Sequence, residues 1–285
     1  MRIIIENLGI VTYLNDKYKG NFEKKDHSSS NKHYFGYSDV FHDDIFIKVS
    51  TNAMNFYNEV KIICRIYPKL YIGTDYINSN YILILHNKDY TNIDFVNNEV
   101  SFQAGRLLAE FHEQACGIEL YDNVEPNFSL KVFEFISILK NHKKYTKIIS
   151  LYNQIYASMQ LVDEEYKHIP KINIHGDFGI RNIKKLNHQY ILIDFERCRY
   201  DSPWMDFTKF LNREANTKEL KTSFLKGYAE VRILEEPSEL LKKGMEFLTA
   251  LGIYKYTLVY TDAEFENMAD EIMKKICLYF GIQYI

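Results

Sequence analysis

The prevailing spacing of apolar residues shifts from strand-like to helical along this chain, and that shift constrains the fold more than any other feature. From residue 1 to about residue 86 the sequence reads mostly as short strands, at Ile10 to Leu14, Lys32 to Tyr37, Asp44 to Val49 and Tyr81 to Leu85. These runs are rich in Ile, Val, Tyr and Phe and are separated by polar turns. One helix is expected among them, over Asn52 to Ile66, where Phe56, Val60, Ile63 and Cys64 recur at the helical period before Pro68 closes the segment. From Ser101 the period is helical, through Phe102, Leu108 and Phe111 and then long amphipathic runs over 129–165 and 218–280. Only between Lys171 and Glu196 do short strands return, at Ile172 to Ile174, Asn182 to Leu186 and Tyr190 to Phe195, the last two joined by a tight turn at Asn187-His188. A strand-rich part followed by a helical part leaves a crevice between them, where a ligand is expected.

Length and charge exclude several classes. A chain of 285 residues fits one two-lobed unit or two domains. With 46% apolar residues, 26% charged residues and a formal charge of -3, it lacks the basic surplus that phosphate-backbone binding requires, so no nucleic-acid partner is expected. The cysteines Cys64, Cys116, Cys198 and Cys277 are far apart and form no C-x-x-C pair, and neither they nor the histidines show zinc spacing. A reduced, cytoplasmic setting without membrane contact is expected, because apolar stretches such as Leu248 to Tyr260 are broken by charge and stop short of a span. Acidic runs at Glu235-Glu236 and Asp262 to Glu266 are candidates for attracting a cationic ligand, although such runs on helices are usually solvated faces.

The chemistry concentrates in the strand-bearing section of the second part. Asp177 lies on a loop after one short strand, Asn182 follows five positions later, and Asp194 ends a second strand twelve positions beyond Asn182. Three oxygen-bearing side chains can thus converge. Nucleotide-bound Mg²⁺ is a hard cation that takes one or two protein oxygens beside phosphate oxygens and water, a task that suits Asn182 and Asp194. An acid just before them that is not needed as a ligand can accept a hydrogen bond from an attacking hydroxyl and align it, the role expected of Asp177. Taken singly, each residue more often reads as a turn or strand-ending residue; the combination is what points to phosphoryl transfer.

The runs His175-Gly176-Asp177-Phe178-Gly179-Ile180-Arg181-Asn182 and Ile191-Leu192-Ile193-Asp194-Phe195-Glu196 resemble the signature of the aminoglycoside phosphotransferase and choline kinase-like family. Gly105 to His112 resembles that family's helix before the catalytic loop, and Asp201-Ser202-Pro203-Trp204-Met205-Asp206 resembles its D-P-x-x-D run. The resemblance implies an α+β, two-lobed, protein kinase-like fold: a small antiparallel-sheet lobe over residues 1–86 for nucleotide, and a mostly helical lobe over residues 87–285 with the catalytic loop and acceptor site. It implies ATP or GTP as donor, Mg²⁺ as cofactor and a small-molecule hydroxyl as acceptor, in a monomer or homodimer. It also implies that Lys48, in the strand Asp44 to Val49, grips the nucleotide phosphates, with Glu59 as its partner. No G-x-G-x-x-G is present; in its place Ser28-Ser29-Ser30-Asn31 lies between two candidate strands, and Ser29 and Ser30 are the candidates for letting backbone N–H groups approach phosphate. His175 is expected to organise the loop and Asp206 to anchor it, while Arg181 either meets an anionic group or pairs with a nearby carboxylate. A nucleotide-binding scaffold without catalysis and a protein-hydroxyl kinase are the alternative readings; the short interval from Asp194 to Pro203 leaves little room for an activation segment and favours a small molecule.

Overall fold

A computed structural model of the protein describes residues 2–25, 31–121 and 124–283. The first part contains a helix, α1 (Arg2–Tyr18), strands β1 (Glu23–Lys25), β2 (Lys32–Ser38) and β3 (Asp43–Ser50), a helix α2 (Ala53–Ile66), and strands β4 (Tyr71–Ile77) and β5 (Asn80–His86). The strands pair antiparallel in the order β1-β2-β3-β5-β4. Alternation decides what each face carries, because successive strand residues point to opposite sides of the sheet. Ile45, Ile47 and Val49 of β3 and Ile82 and Ile84 of β5 form one apolar layer with Ile10, Leu14 and Tyr18 of α1. Leu83, out of phase with them, joins Phe56, Ile62 and Ile63 of α2 in the larger core that runs into the helical part. Lys48 is likewise out of phase with Ile47 and Val49, so β3 delivers it to the α2 side of the sheet.

Two expectations are corrected here. Ile10 to Leu14 forms no strand; it lies inside α1. The β-branched residues of that run suggest a strand, but Ile10, Leu14 and Tyr18 are four apart and bury one helical stripe on the sheet, and this packing overrides local propensity. The strand β4 has no counterpart in the sequence reading. It sits at the sheet edge with no buried position, and its pairing with β5 shifts register between Tyr71 and Gly73, so it lacks clean alternation. Its turn to β5 uses Asn78 and Ser79 at φ 48° and 63°, the left-handed pair that matches the twist of a two-residue hairpin.

After residues 87–97, which hold only the bridge between Thr91 and Lys185, the chain becomes helical. The elements are α3 (Asn98–Gln114), α4 (Phe128–Ile138), α5 (Tyr145–His168), strands β6 (Ile172–Ile174), β7 (Ile183–Leu186), β8 (Gln189–Leu192) and β9 (Arg199–Asp201), and helices α6 (Trp204–Arg213), α7 (Lys218–Ala229), α8 (Glu239–Thr257) and α9 (Ala263–Tyr279). Asn97 starts α3 by accepting a hydrogen bond from Val100 N, and Thr217, Ser238 and Asp262 do the same for α7, α8 and α9. Helices α3 and α7 cross backbone to backbone at Gly105 and Gly227: a Cβ on Gly105 would lie 2.0 Å from the Phe224 carbonyl oxygen, and one on Gly227 the same distance from that of Phe102. No helix among the described residues is long and apolar enough to cross a membrane.

Candidate active site

The catalytic-type loop is suspended between two short antiparallel ladders. Strand β6 pairs with β9, and β7 pairs with β8 through the expected turn, where Asn187 and His188 adopt φ 50° and 68°. Residues 175–182 leave the first ladder and enter the second, so the loop is fixed at both ends. Gly176 has φ +77°, and a Cβ there would stand 2.1 Å from the Arg197 carbonyl oxygen, so both conformation and space require glycine. The next element holds the loop from below. Asp206, in the first turn of α6, accepts hydrogen bonds from His175 N at 2.7 Å and Gly176 N at 2.8 Å. The same carboxylate lies 3.1 Å from His112 Nε2 on α3, and His112 Nδ1 is 2.8 Å from the Tyr228 hydroxyl on α7. Burial lowers the pKa of His112 below the usual histidine value despite the pull of Asp206, so a neutral ring donates to the carboxylate from Nε2 and accepts Tyr228 at Nδ1. His175 bridges the two halves of the site: its Nε2 donates to the Ile193 carbonyl at 3.1 Å and its Nδ1 accepts Asp177 N at 3.3 Å. The expected organising roles of His175 and Asp206 match this geometry.

Asp177 is almost fully buried and surrounded by cations. Lys209 Nζ of α6 lies 2.7 Å from Oδ1, Arg181 Nη2 lies 2.5 Å from Oδ2, and Arg197 Nη1 lies 3.9 Å from Oδ2. Burial disfavours its charge, but Lys209, Arg197 and Arg181 outweigh it and hold the carboxyl well below the usual carboxylate range. Such a group is a fixed hydrogen-bond acceptor, suited to orienting a hydroxyl. Arg181 therefore pairs with a carboxylate, and that carboxylate is the candidate base itself. Asn182 sits in a short 3-10 turn, Ile180–Asn182, and its Nδ2 donates to the Asp177 carbonyl at 2.9 Å, which leaves Oδ1 as the side-chain atom able to coordinate a cation. Its own carbonyl accepts Ile193 N at 3.0 Å, so Asn182 and the residue before Asp194 are tied through the backbone. Asp194 has φ +68°, a left-handed conformation that aspartate adopts at a cost, two residues beyond the end of β8.

The sheet contributes a second charged group. Lys48 Nζ lies 2.9 Å from Glu59 Oε2, 2.7 Å from Asp194 Oδ1 and 2.9 Å from Glu196 Oε2. The close sequence spacing of Lys48 and Glu59 works because α2 begins three residues after β3 and places Glu59 in its second turn. Burial works against the Lys48 ammonium, but the three carboxylates raise its pKa above the usual lysine value, whereas burial pushes the Glu59 carboxyl up to about 7 against the pull of Lys48. Carboxylate oxygens of Glu59, Asp194 and Glu196 lie within 4.8 Å of one another, an excess of negative charge over the one ammonium that suits a hard divalent cation. Glu196 also accepts a hydrogen bond from Asn31 Nδ2. Ser28, Ser29 and Ser30 lie outside the described residues; strands β1 and β2, which flank them, pair directly.

Glu196, Arg197 and Lys209 were not singled out by the sequence reading. Glu196 and Arg197 follow Asp194 closely and were within reach of a motif argument, but Lys209 carries no local signal: it reaches Asp177 only because Asp206 pins α6 under the loop.

A model of a phosphotransferase enzyme family matches residues 86–240. No curated protein sequence matches the chain. Among solved structures, a choline kinase from Streptococcus pneumoniae superposes with a TM-score of 0.70 at 13% identity, over 96% of this chain and 99% of that one. A Plasmodium vivax ethanolamine kinase gives 0.63 at 16% identity, covering 94% of this chain and 86% of that one. An amicoumacin kinase in complex with AMP-PNP and Ca²⁺ gives 0.63 at 12% identity, covering 90% and 87%. At these identities the likeness is one of fold, the two-part architecture expected from the sequence.

Proposed function

Because the chain belongs to the phosphotransferase enzyme family, we propose that it transfers the γ-phosphoryl group of ATP or GTP to a hydroxyl of a small molecule. The observation that carries this reading is the meeting of two parts of the chain in one charged cluster, Lys48 of the sheet standing 2.7 Å from Asp194 at the end of the catalytic hairpin. In this reading residues 1–86 form the nucleotide lobe and residues 87–285 carry the catalytic loop and the acceptor site. Lys48, held by Glu59, meets the nucleotide phosphates, as do the backbone amides around Ser29 and Ser30. Asn182 and Asp194 hold Mg²⁺, which supplies charge neutralisation for the phosphates when bound. Asp177 accepts the hydrogen bond of the acceptor hydroxyl and aligns it for attack; with its proton affinity depressed, its contribution is orientation more than proton storage. Preorganised charge of this kind is the main source of catalysis in phosphoryl transfer.

The test is direct. Purified protein with Mg²⁺ and ATP or GTP should bind the nucleotide and hydrolyse it slowly without acceptor, and Asp177→Ala and Asp194→Ala should each abolish turnover. Wild-type protein that neither binds nor consumes either nucleotide refutes the reading.

A further inference from the structure

The charge around Asp177 is unlike the charge around Lys48. Lys48 is one cation among three carboxylates, whereas Asp177 is one carboxylate among three cations, Lys209, Arg181 and Arg197. The protein as a whole carries 38 acidic and 35 basic side chains, so this cationic concentration is local and not a reflection of composition. Two of the three are guanidinium groups with about half of the side chain exposed, 56% for Arg181 and 49% for Arg197, although each is tethered at the base. The other acids close by are Asp194, which acts on Arg181 but is paired with Lys48, and the half-buried Glu214, with Oε1 accepting Ile180 N at 3.4 Å and its carboxyl pushed up by burial. Burial lowers the Lys209 ammonium below the usual lysine range against the pull of Asp177, and the neighbouring Arg181 lowers it further. The cluster is thus short of negative charge.

The acidic run nearest this cluster does not redress the balance, because its members are already committed. Lys209 Nζ and Arg213 Cζ both lie over the ring of Phe265, at 5.3 and 5.6 Å, which puts the start of α9 beside the base. Of the acids there, Asp262 caps α9, Glu264 pairs with Arg213, and Glu266 pairs with Lys143 and Lys144. A polycationic or quaternary-amine acceptor would meet guanidinium groups at the base and no uncommitted acid in this run.

We propose that the acceptor of this kinase carries an anionic group, a carboxylate or a phosphate, beside the hydroxyl it presents to Asp177, and that Arg197 and Arg181 bind that group. This rests on the phosphotransferase reading above. Guanidinium forks bind carboxylate and phosphate oxygens in paired, charge-assisted hydrogen bonds, and half-exposed arginines beside a buried base are placed for that exchange. The donor phosphates are met by the other cluster: Lys48 has its partners in Glu59, Asp194 and Glu196 and none in Asp177.

The experiment measures binding of small hydroxyl compounds to the protein saturated with AMP-PNP and Mg²⁺ by calorimetry, and their phosphorylation with ATP or GTP. The probes are D-glycerate and glycerol 3-phosphate against ethanolamine, choline and kanamycin, so that the two anionic arms also separate carboxylate from phosphate recognition. The expected result is that at least one anionic probe binds tenfold or more tighter than every amine, and that Arg197→Gln, or Arg181→Gln if the first variant fails to fold, removes that preference. A smaller ratio overturns the inference while nucleotide binding leaves the kinase reading intact. Retention of the preference in the variant, or phosphorylation of the amines alone, also overturns it. Absence of nucleotide binding refutes the kinase reading, and the inference falls with it.

Discussion

Lys48 Nζ and Asp194 Oδ1 are 2.7 Å apart although 146 positions separate them in sequence, and through this pair the antiparallel sheet is fastened to the end of the β7–β8 hairpin. The ammonium also neutralises part of the repulsion between Asp194, Glu59 and Glu196, whose oxygens crowd within 4.8 Å.

Replacing Lys48 by Met leaves those carboxylates without their counter-ion. Breaking a buried pair from one side costs about 3–5 kcal/mol, so K48M should lower Tm by several degrees in the ligand-free protein. Nucleotide affinity should fall by about tenfold to a hundredfold. Differential scanning calorimetry and nucleotide titration check both effects; unchanged affinity would remove Lys48 from the nucleotide site.

Asp177 should leave a signature in the pH dependence of stability. Its carboxyl is held below the usual range in the folded protein, so its stabilising contribution is complete above its unfolded pKa and is lost as pH falls towards the folded value. Comparing wild type with Asp177→Asn by urea unfolding, the stability gap should be constant from about pH 8 to about pH 5 and should narrow below about pH 4. A gap that changes near neutrality would show that Lys209, Arg197 and Arg181 do not keep the group ionised.

Asp206 accepts three N–H groups, from His175, Gly176 and His112. Asp206→Asn replaces an acceptor oxygen with an N–H₂ that faces donors, at a cost of about 2–3 kcal/mol. The loop should lose its support while the Lys48 cluster stays intact, so kcat should fall at least about tenfold with nucleotide affinity within about twofold. Steady-state kinetics together with nucleotide titration separates the two.

Gly176→Ala forces a side chain into a left-handed position against the Arg197 carbonyl. Strain and overlap together should cost at least about 2 kcal/mol and misplace Asp177 on the next position. Thermal unfolding and turnover should both fall. Gly9→Ala, where a Cβ meets nothing within 4 Å, is the control.

How much of this was legible in the sequence follows from what each feature depends on. The triad of Asp177, Asn182 and Asp194 was legible because all three sit on one short stretch of strands and turns, and the turn at Asn187-His188 was legible from its residue types. The strand that carries Lys48 was legible from its run of apolar residues, while the role expected of Lys48 came from the family resemblance alone. The ring of cations was not: Lys209 meets Asp177 only through the docking of α6, and Arg197 only through the curl of chain that brings its carbonyl against Gly176. The helix α1 was misread because its β-branched residues speak for a strand locally, and only the sheet it covers reveals the stripe of Ile10, Leu14 and Tyr18.

The crossing of Gly105 and Gly227 bears on how this machine moves. With carbonyl groups meeting the opposite backbone and no side chains between them to slide or re-pack, α3 and α7 are welded into one beam, and His112 and Tyr228 ride on it in fixed registration with Asp206. Any breathing of the cleft must then be taken up away from that beam, in residues 87–97, where the chain passes between its two parts without helix or strand, held by the bridge from Thr91 to Lys185, by Asn87 N on the Asp44 carbonyl and by Lys184 on the Asn92 side chain.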